Sequence, residues 1–262
     1  MKLLFVDEFK PEMGRKHGKT VYGLSLISID LKYYQKIKTG FEKSFKNLGW
    51  NQENELKGRY TYSKKIFDDI SIEKRIKFAE NLMSLSLSET GKTKRVTTYI
   101  ALDVFDSNKN ESEIYVDLLC RIFKKIPKPP SKQNGKNILA CFLDNNDDVT
   151  RKISEIQLYK LLLDCLKTGW IILEKPIFVN SSNLHIGIIF SDFISYFFQN
   201  FIDTRHFFES TKSRLFQLLD NKKQNLQMQE NEEKELDTYL INYKKKEQSI
   251  RIISILKDVE YV

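Results

Sequence analysis

Short apolar segments and amphipathic segments alternate along residues 2–201, and this alternation restricts the possible fold more than any other feature. Segments 2–6 and 19–29 are apolar and rich in β-branched residues, which favours strands. The glycine-containing stretch 14–18 predicts a turn, so these two strands are expected to form an antiparallel hairpin. Strands that alternate with helices after a hairpin indicate an α/β architecture in layers. Further strands are predicted at 97–104, 136–144 and 170–179, and helices at 31–47, 65–87, 111–125, 149–167 and 184–201.

The C-terminal part of the chain differs from the rest in composition. Residues 221–248 consist mainly of Lys, Glu, Gln and Asn, with only a narrow stripe of apolar positions. This pattern predicts a charged helical appendage rather than a second catalytic domain. We therefore expect a core domain at 1–205 and an appendage at 206–262 that packs on the core. The appendage helices are also a candidate surface for self-association.

The composition of the chain indicates the kind of partner that it binds and the cellular compartment in which it works. The chain has 262 residues and a formal net charge of +8, which favours a polyanionic partner, nucleic acid first, although a lysine-rich solvated surface is the alternative. The three cysteines show no Cys-x-x-Cys spacing and are expected to be free thiols in a reducing compartment. The apolar segment 184–202 contains Asp192, whose charge opposes a membrane span. Because Asp7 interrupts the N-terminal apolar run before a signal-peptide core is complete, we expect a cytoplasmic protein.

Four carboxylates occupy positions where a charge is costly to bury. Asp7 and Asp144 each end an apolar strand, Asp192 interrupts an apolar helix, and Glu55 lies in a Glu-Leu-Lys segment. A buried charge must be paired, hydrogen-bonded or bound to a cation, so several of them indicate a shared acidic site if the fold gathers them. Oxygen ligands without a Cys/His pattern suit Mg²⁺ or Mn²⁺ rather than zinc. Such a site predicts metal-dependent hydrolysis of phosphodiester bonds.

Each of the four has a structural alternative. Asp7 is also suited to a strand-end turn, and Glu55 to a solvated surface position. Asp144 belongs to a stretch of Asp and Asn residues of the kind that caps helices. Asp192 could instead cap a helix or pair with a lysine.

Three neighbouring or competing residues complete the candidate set. Glu8 is expected to support the site from its edge rather than to bind a metal. Asp103 also ends an apolar strand and is the rival for a position in the site. Lys57 could contact a scissile phosphate, or it could form an ordinary ion pair with Glu55.

The order of the acidic segments resembles the domain-of-unknown-function 3800 family, whose members are assigned to the ribonuclease H-like superfamily. The resemblance covers residues 1–200 approximately, and it implies a ribonuclease H-like mixed β-sheet flanked by helices. The segments that carry it are the strand into Asp7-Glu8, the Glu55-x-Lys57 segment, the strand into Asp144, and the segment from Gly187 to Tyr196 that contains Asp192.

The resemblance also implies roles for the four carboxylates. Asp7 would bridge two Mg²⁺ or Mn²⁺ ions, Glu55 and Asp144 would each bind one ion, and Asp192 would complete the second ion's ligands. The chain departs from the family pattern at two places that are not proposed ligands. Phe9-Lys10 replaces the usual Ser-Gly, and Ile189 replaces a frequent glutamine.

The nucleic-acid-binding surface predicted from the sequence is a basic stretch that follows the 111–125 helix. A solvated lysine-rich face is its alternative, and no sequence-specific readout motif is present. A catalytically inactive ribonuclease H-like module that binds nucleic acid or protein remains the alternative to a nuclease. The lysines of the predicted surface are Lys124, Lys125, Lys128, Lys132 and Lys136.

Overall fold

The computed structural model describes most of the chain. The described residues are 1–11, 19–50, 55–63, 70–87, 95–106, 108–129, 137–145, 152–167, 169–179, 185–223, 230–256 and 258–262, with the side chains of 204–213 and 223 not included. The elements are β1 (Lys2–Phe9), β2 (Lys19–Asp30), α1 (Leu31–Leu48), a 3₁₀ turn (Gly58–Thr61), α2 (Ile72–Ser84), β3 (Val96–Asp106), α3 (Glu111–Lys125), β4 (Ile138–Asp144), α4 (Glu155–Cys165), β5 (Ile171–Ile172), β6 (Ile177–Val179), α5 (Ile186–Lys223), α6 (Glu230–Ile253) and β7 (Val259–Tyr261).

The strands of the described residues form one mixed sheet in the order β5-β4-β1-β2-β3-β7, with β6 also paired to β4. The predicted antiparallel pairing is confirmed, because β1 pairs antiparallel with β2, which pairs antiparallel with β3. The turn predicted at 14–18 lies outside the described residues. Strand β4 lies on the other side of β1 and runs parallel to it. The predicted class is therefore confirmed as α/β, with a mixed sheet between helices.

Side-chain alternation along the strands divides the core into two layers. Leu3 and Phe5 of β1 face a cluster that includes residues of α1, α2 and α5, whereas Leu4 and Val6 face a cluster built with α3 and α4. Successive residues of a strand point to opposite faces of the sheet, so the parity of a strand residue tells which helices it meets. Asp7 therefore lies on the face covered by α5.

Several predicted element boundaries needed correction. The strand predicted at 170–179 is two short strands, and Pro176 between them has no N–H to donate to a ladder. Ser154 caps α4 through a hydrogen bond from the Gln157 N–H, so this helix begins at Glu155, and the predicted positions 149–151 lie outside the described residues. The helix predicted to end near residue 201 continues to Lys223, because no proline or glycine interrupts it after Gly187.

The C-terminal helices form a hairpin that returns to the core. The proposed boundary at 205/206 falls inside α5, and α6 packs against α5 around Leu215, Leu218 and Leu236. Ile252 of α6 then joins the main core, and β7 pairs in parallel with β3. Since Leu236 is buried within this hairpin, part of the apolar stripe considered for self-association is used inside the chain.

No helix in the described part of the chain combines the length and the apolar character that a membrane crossing requires. The three cysteines are free, as the sequence predicts, with Cys120 and Cys141 buried.

Candidate functional site

Two of the four carboxylates lie side by side on neighbouring parallel strands, with Asp144 at the end of β4 and Asp7 two residues before the end of β1. Val6 of β1 lies beside Leu143 of β4, and one residue further along both strands stand Asp7 and Asp144. Neighbouring strands are about 4.8 Å apart, so the two backbones are close at this edge. Phe5 and Phe142 stack on the α5 face with ring centroids 5.1 Å apart, and Asp7 and Asp144 follow them by two residues on the same face.

Small residues on α5 allow this helix to lie directly on the sheet. A Cβ atom on Gly187 would come within 2.3 Å of the Phe5 ring, so only glycine permits this approach. One and two turns later, Ser191 and Ser195 face β2, where the Ser25 hydroxyl donates to the Ser191 carbonyl at 3.3 Å and lies 2.8 Å from the Ser195 hydroxyl. The spacing of these small residues places Asp192 at the border of the helix–sheet contact, next to Asp7.

Asp192 also ties α5 to the segment that carries Glu55. The backbone N–H of Gly58 donates to the Asp192 carboxylate with an N···O distance of 2.5 Å. Gly58 is the first residue of the 3₁₀ turn, so Asp192 caps this turn, which is one of the alternatives that its sequence position left open. Lys57 and Glu55 form an ion pair at 3.0 Å, the alternative considered for Lys57.

Gly58 is required for this close approach. A Cβ atom at this position would lie 2.8 Å from the Tyr196 Cβ and 3.1 Å from the Phe193 Cα. We expect Gly58→Ala to push the 55–61 segment away from α5, with a loss of stability of about 1 to 3 kcal/mol and a weaker hold on Asp192. Thermal melting and calorimetric titration with Mn²⁺ measure the two effects.

Gly49→Ala is the matched control for this prediction. Gly49 has a φ of 74° at the C-terminal end of α1, and a Cβ atom added there would have no atom within 4 Å. The alanine is strained by its backbone conformation alone, at a cost of roughly 1 kcal/mol. It should lower the melting temperature and leave Mn²⁺ binding intact. Unchanged Mn²⁺ binding in Gly58→Ala would show that the position of the 55–61 segment does not matter to the site.

The carboxylates of the site lie close enough for their negative charges to raise one another's pKa values. Burial raises the pKa of Asp7 well above its ordinary value, and the negative charges of Asp192, Glu8 and Asp144 raise it further, while a hydrogen bond from Ser195 lowers it. Burial likewise raises the pKa of Asp192 to about 6, against the lowering effect of Gly58 and Lys57. Both carboxylates therefore carry a cost when ionised that a cation would relieve.

The side chains around the cavity supply oxygen donors, which suit a hard divalent cation. Asp7, Asp144 and Asp192 border one cavity of ≈ 430 Å³, with the carboxamides of Asn145 and Gln199 beside them. All of these are oxygen donors of the type that Mg²⁺ and Mn²⁺ prefer. Within the described ranges, no three His, Cys, Asp or Glu side chains stand close enough together to hold an ion in the present arrangement.

The remaining sequence candidates divide into those near the cavity and those away from it. Glu8 and Lys57 border the cavity, whereas Glu55 reaches the site through its ion pair and its charge on Asp192. Asp103 of β3 instead forms an ion pair with Arg121 of α3 at 2.6 Å, and it does not border the cavity. The metal-binding roles of the four carboxylates stay predictions.

The predicted basic surface lies at the other end of the sheet. Lys124 and Lys125 end α3, and the following Pro127 carbonyl accepts a hydrogen bond from the Trp170 indole N–H at 2.9 Å, beside the start of β4. Asp144 ends β4, so the length of the strand puts about 20 Å between this stretch and the cavity. Lys128 belongs to the same stretch, and Lys132 and Lys136 fall outside the described residues.

Sequence reasoning missed several residues that border the cavity. Arg59 is an exposed cation whose guanidinium lies 5.1 Å from the Tyr60 ring centroid. The signal that could have found it is its place two residues after Lys57. Ser195 and Tyr196 were singled out only as part of a motif, yet both border the cavity, and the Ser195 hydroxyl donates to the Asp7 backbone carbonyl at 3.4 Å.

Comparison with known proteins finds a similar solved structure but no matching protein family. The chain matches no protein-family model and no curated protein, so the resemblance to the domain-of-unknown-function 3800 family stays a resemblance. Among solved structures, it is similar to the ribonuclease H2 from Pyrococcus horikoshii OT3, with 12% sequence identity and a TM-score of 0.40, covering 98% of this chain and 100% of that one. A likeness at this level says nothing about the activity of this chain.

Proposed function

We propose that this chain is a divalent-metal-dependent nuclease or phosphodiesterase of ribonuclease H-like fold that hydrolyses phosphodiester bonds of nucleic acids. The observation that carries the proposal is the meeting of Asp7, Asp144 and Asp192, from three separate elements, at one cavity that Lys57 and Arg59 also border. Acidic and basic groups that converge from distant parts of a chain are typical of a site for metal-assisted phosphoryl chemistry.

Asp7, Asp144 and Asp192, with Glu55 nearby, are the residues that would hold one or two Mg²⁺ or Mn²⁺ ions. When bound, such ions activate water and stabilise the leaving oxygen. The Ser195 hydroxyl donates to the Asp7 backbone carbonyl at 3.4 Å and fixes the backbone that carries this carboxylate, and the Gly58 N–H orients the carboxylate of Asp192. Because burial raises the pKa of Asp192 to about 6 in the metal-free chain, a cation must compete with a proton for this carboxylate below that pH.

The cations of the cavity suit the substrate. A guanidinium binds two phosphate oxygens in a planar fork, which makes Arg59 the better phosphate ligand. Lys57 keeps its proton because the hydrogen bond and charge of Glu55 raise its pKa, although burial opposes them. Burial raises the pKa of Tyr196 to about 12, so this phenol remains a hydrogen-bond donor at neutral pH.

The test is incubation of the purified chain with labelled DNA, RNA and RNA–DNA hybrid strands in Mg²⁺ or Mn²⁺. We expect cleavage of at least one substrate and its complete loss when a chelator is added. Cleavage that persists in the chelator, or no cleavage of any substrate in either metal, would contradict the proposal.

A second candidate function is a catalytically inactive module that binds nucleic acid or protein. It is favoured by the structural duties that Asp192 and Glu55 already perform, the first capping the 3₁₀ turn and the second pairing with Lys57. Calorimetry with Mn²⁺ separates the two functions. Heat of binding at millimolar metal supports the nuclease, and its absence supports the module.

A further inference from the structure

The C-terminal hairpin contacts the Tyr62–Tyr196 wall, a pair of neighbouring rings of which Tyr196 borders the cavity. The Ser249 hydroxyl of α6 lies 3.3 Å from the Tyr62 hydroxyl, and Arg251 pairs with Glu80 of α2 at 2.5 Å. These contacts hold the last turns of α6 against the 55–63 segment and α2. The Ser249 side chain is fully buried, so this docking is part of the packed structure.

One lysine of α6 is placed over this wall. The Lys245 ammonium lies 5.6 Å from the ring centroid of Tyr62 and 5.8 Å from that of Tyr196, and Tyr196 borders the carboxylate cavity. The two rings are neighbours, with centroids 6.3 Å apart. An ammonium within about 6 Å of aromatic rings is held by their electron-rich faces. Lys245 is therefore a positive charge positioned next to Tyr196, a residue of the cavity lining, although Lys245 does not border the cavity itself.

An acidic cavity repels the substrate that the proposed function assigns to it. A strand of nucleic acid carries a negative charge at every phosphate, and Asp7, Asp144 and Asp192 add to the repulsion. Cations at the rim offset this repulsion and guide the strand. Lys57 and Arg59 border the cavity itself, and Lys245 of α6 lies over Tyr62 and the cavity-lining Tyr196.

The size of the cavity and the position of the tyrosine rings favour single-stranded nucleic acid over a duplex. A volume of ≈ 430 Å³ is in the range of sites for single small ligands, which suits one nucleotide and its phosphate rather than a duplex. Tyrosine rings beside cations are the combination that proteins use to bind unpaired strands, because every base has a face that can stack and every nucleotide a phosphate.

We propose that Lys245 and Arg59 bind the backbone of a single nucleic-acid strand that enters the cavity across the Tyr62–Tyr196 wall. The inference rests on the proposed function for its substrate class. It makes the C-terminal hairpin part of the substrate-binding surface, and it assigns the strand to this rim rather than to the basic stretch at Lys124, Lys125 and Lys128.

The experiment measures the affinity of the full chain for a short fluorescein-labelled oligothymidylate by fluorescence anisotropy over a series of salt concentrations, with chelator present to prevent cleavage. Each phosphate contact contributes about 0.7 to the slope of log affinity against log salt for a single strand. We expect Lys245→Ala to reduce this slope by about 0.7 and the affinity by roughly fivefold near 0.1 M salt. Lys245→Arg retains the charge, so most of the wild-type salt slope and most of the wild-type affinity should be retained.

Two lysine variants serve as matched controls. Lys244→Ala removes the same charge from the preceding, exposed residue of α6, and Lys124→Ala removes it from the opposite end of the sheet. Both should leave the slope unchanged, and thermal melting checks that all variants are folded. The inference is overturned if Lys245→Ala binds like wild type, if either control loses as much as Lys245→Ala, or if the wild-type chain does not bind the oligonucleotide.

The outcomes also separate this inference from the proposed function. Binding that depends on Lys245 supports the strand path even if no metal produces cleavage. Metal-dependent cleavage with binding that ignores Lys245 keeps the nuclease and overturns the strand path.

Discussion

Replacing Asp7 or Asp192 with asparagine is expected to abolish metal-dependent cleavage and to leave the chain folded. Asparagine keeps the shape of each side chain but removes the charge that a divalent cation requires. Its carboxamide oxygen can still accept the Gly58 N–H at position 192, so the 55–61 segment stays in place. Loss of an outer hydrogen-bond partner of a metal ligand alone costs 10- to 100-fold, so we expect roughly 100-fold or more for a ligand itself. Initial rates on the best substrate in Mn²⁺ measure the effect.

Asp103→Asn is the matched control. Asp103 is also an aspartate on an apolar strand, but its carboxylate is committed to Arg121 and lies away from the cavity. This variant should cleave at the wild-type rate, and because it is purified in the same way it also reports on contaminating nuclease. Cleavage retained in both Asp7→Asn and Asp192→Asn, with circular dichroism showing folded protein, would reject the site.

Asp192→Asn should stabilise the metal-free protein in a pH-dependent way. The pKa of Asp192 in the folded chain is about 6, against an ordinary value of 3.8, so between these values the folded state binds the proton more tightly than the unfolded state. Stability contributed by this group therefore falls as pH rises through that window and stays low above it. Subtracting the wild-type melting temperature from that of Asp192→Asn cancels the groups that do not interact with Asp192. Asp7, whose pKa the Asp192 charge raises, contributes to the difference in the same direction. The difference should grow from pH 4 to pH 6 and then level off.

With Mn²⁺ present, the wild-type chain should become more stable than Asp192→Asn. A ligand present at about 100 times its dissociation constant stabilises the folded state by about 2.7 kcal/mol. For a chain of this size, each kcal/mol raises the melting temperature by roughly 2 to 4 °C. Asp192→Asn should show little of that rise, and Asp103→Asn should show all of it. A difference that is flat with pH, or equal stabilisation of Asp192→Asn by Mn²⁺, contradicts the assignment of Asp192 to a cation site.

Local sequence was sufficient for the elements that depend on short-range rules. The hairpin of β1 and β2 follows from alternating apolar residues, and α3 is found at the predicted residues 111–125 because its apolar period is regular and its ends are polar. The strand-end position of Asp144 follows in the same way, since it stands after a continuous apolar run. Asp7 also follows such a run, but β1 continues beyond it to Phe9, so the prediction that Asp7 ends the strand is wrong.

The positions that sequence reasoning left open depend on contacts between distant parts of the chain. Glu55 lies in a segment without apolar period, and its place near Asp192 results from the glycine contact between Gly58 and α5. Arg59 and Lys245 are separated by more than half of the chain, and the docking of α6 places Lys245 over Tyr62, in the same 55–63 segment as Arg59. The basic stretch at Lys124 is conspicuous in the sequence, yet strand length places it at the far end of the sheet.

The sequence by itself determined the α/β class, the order of most elements and the carboxylates worth testing, because period and local charge act within a few residues. Only the tertiary structure decided which of those carboxylates meet and which cations accompany them. The physical reason is that strand register and close helix packing, through residues such as Gly187 and Gly58, position side chains that no local pattern relates.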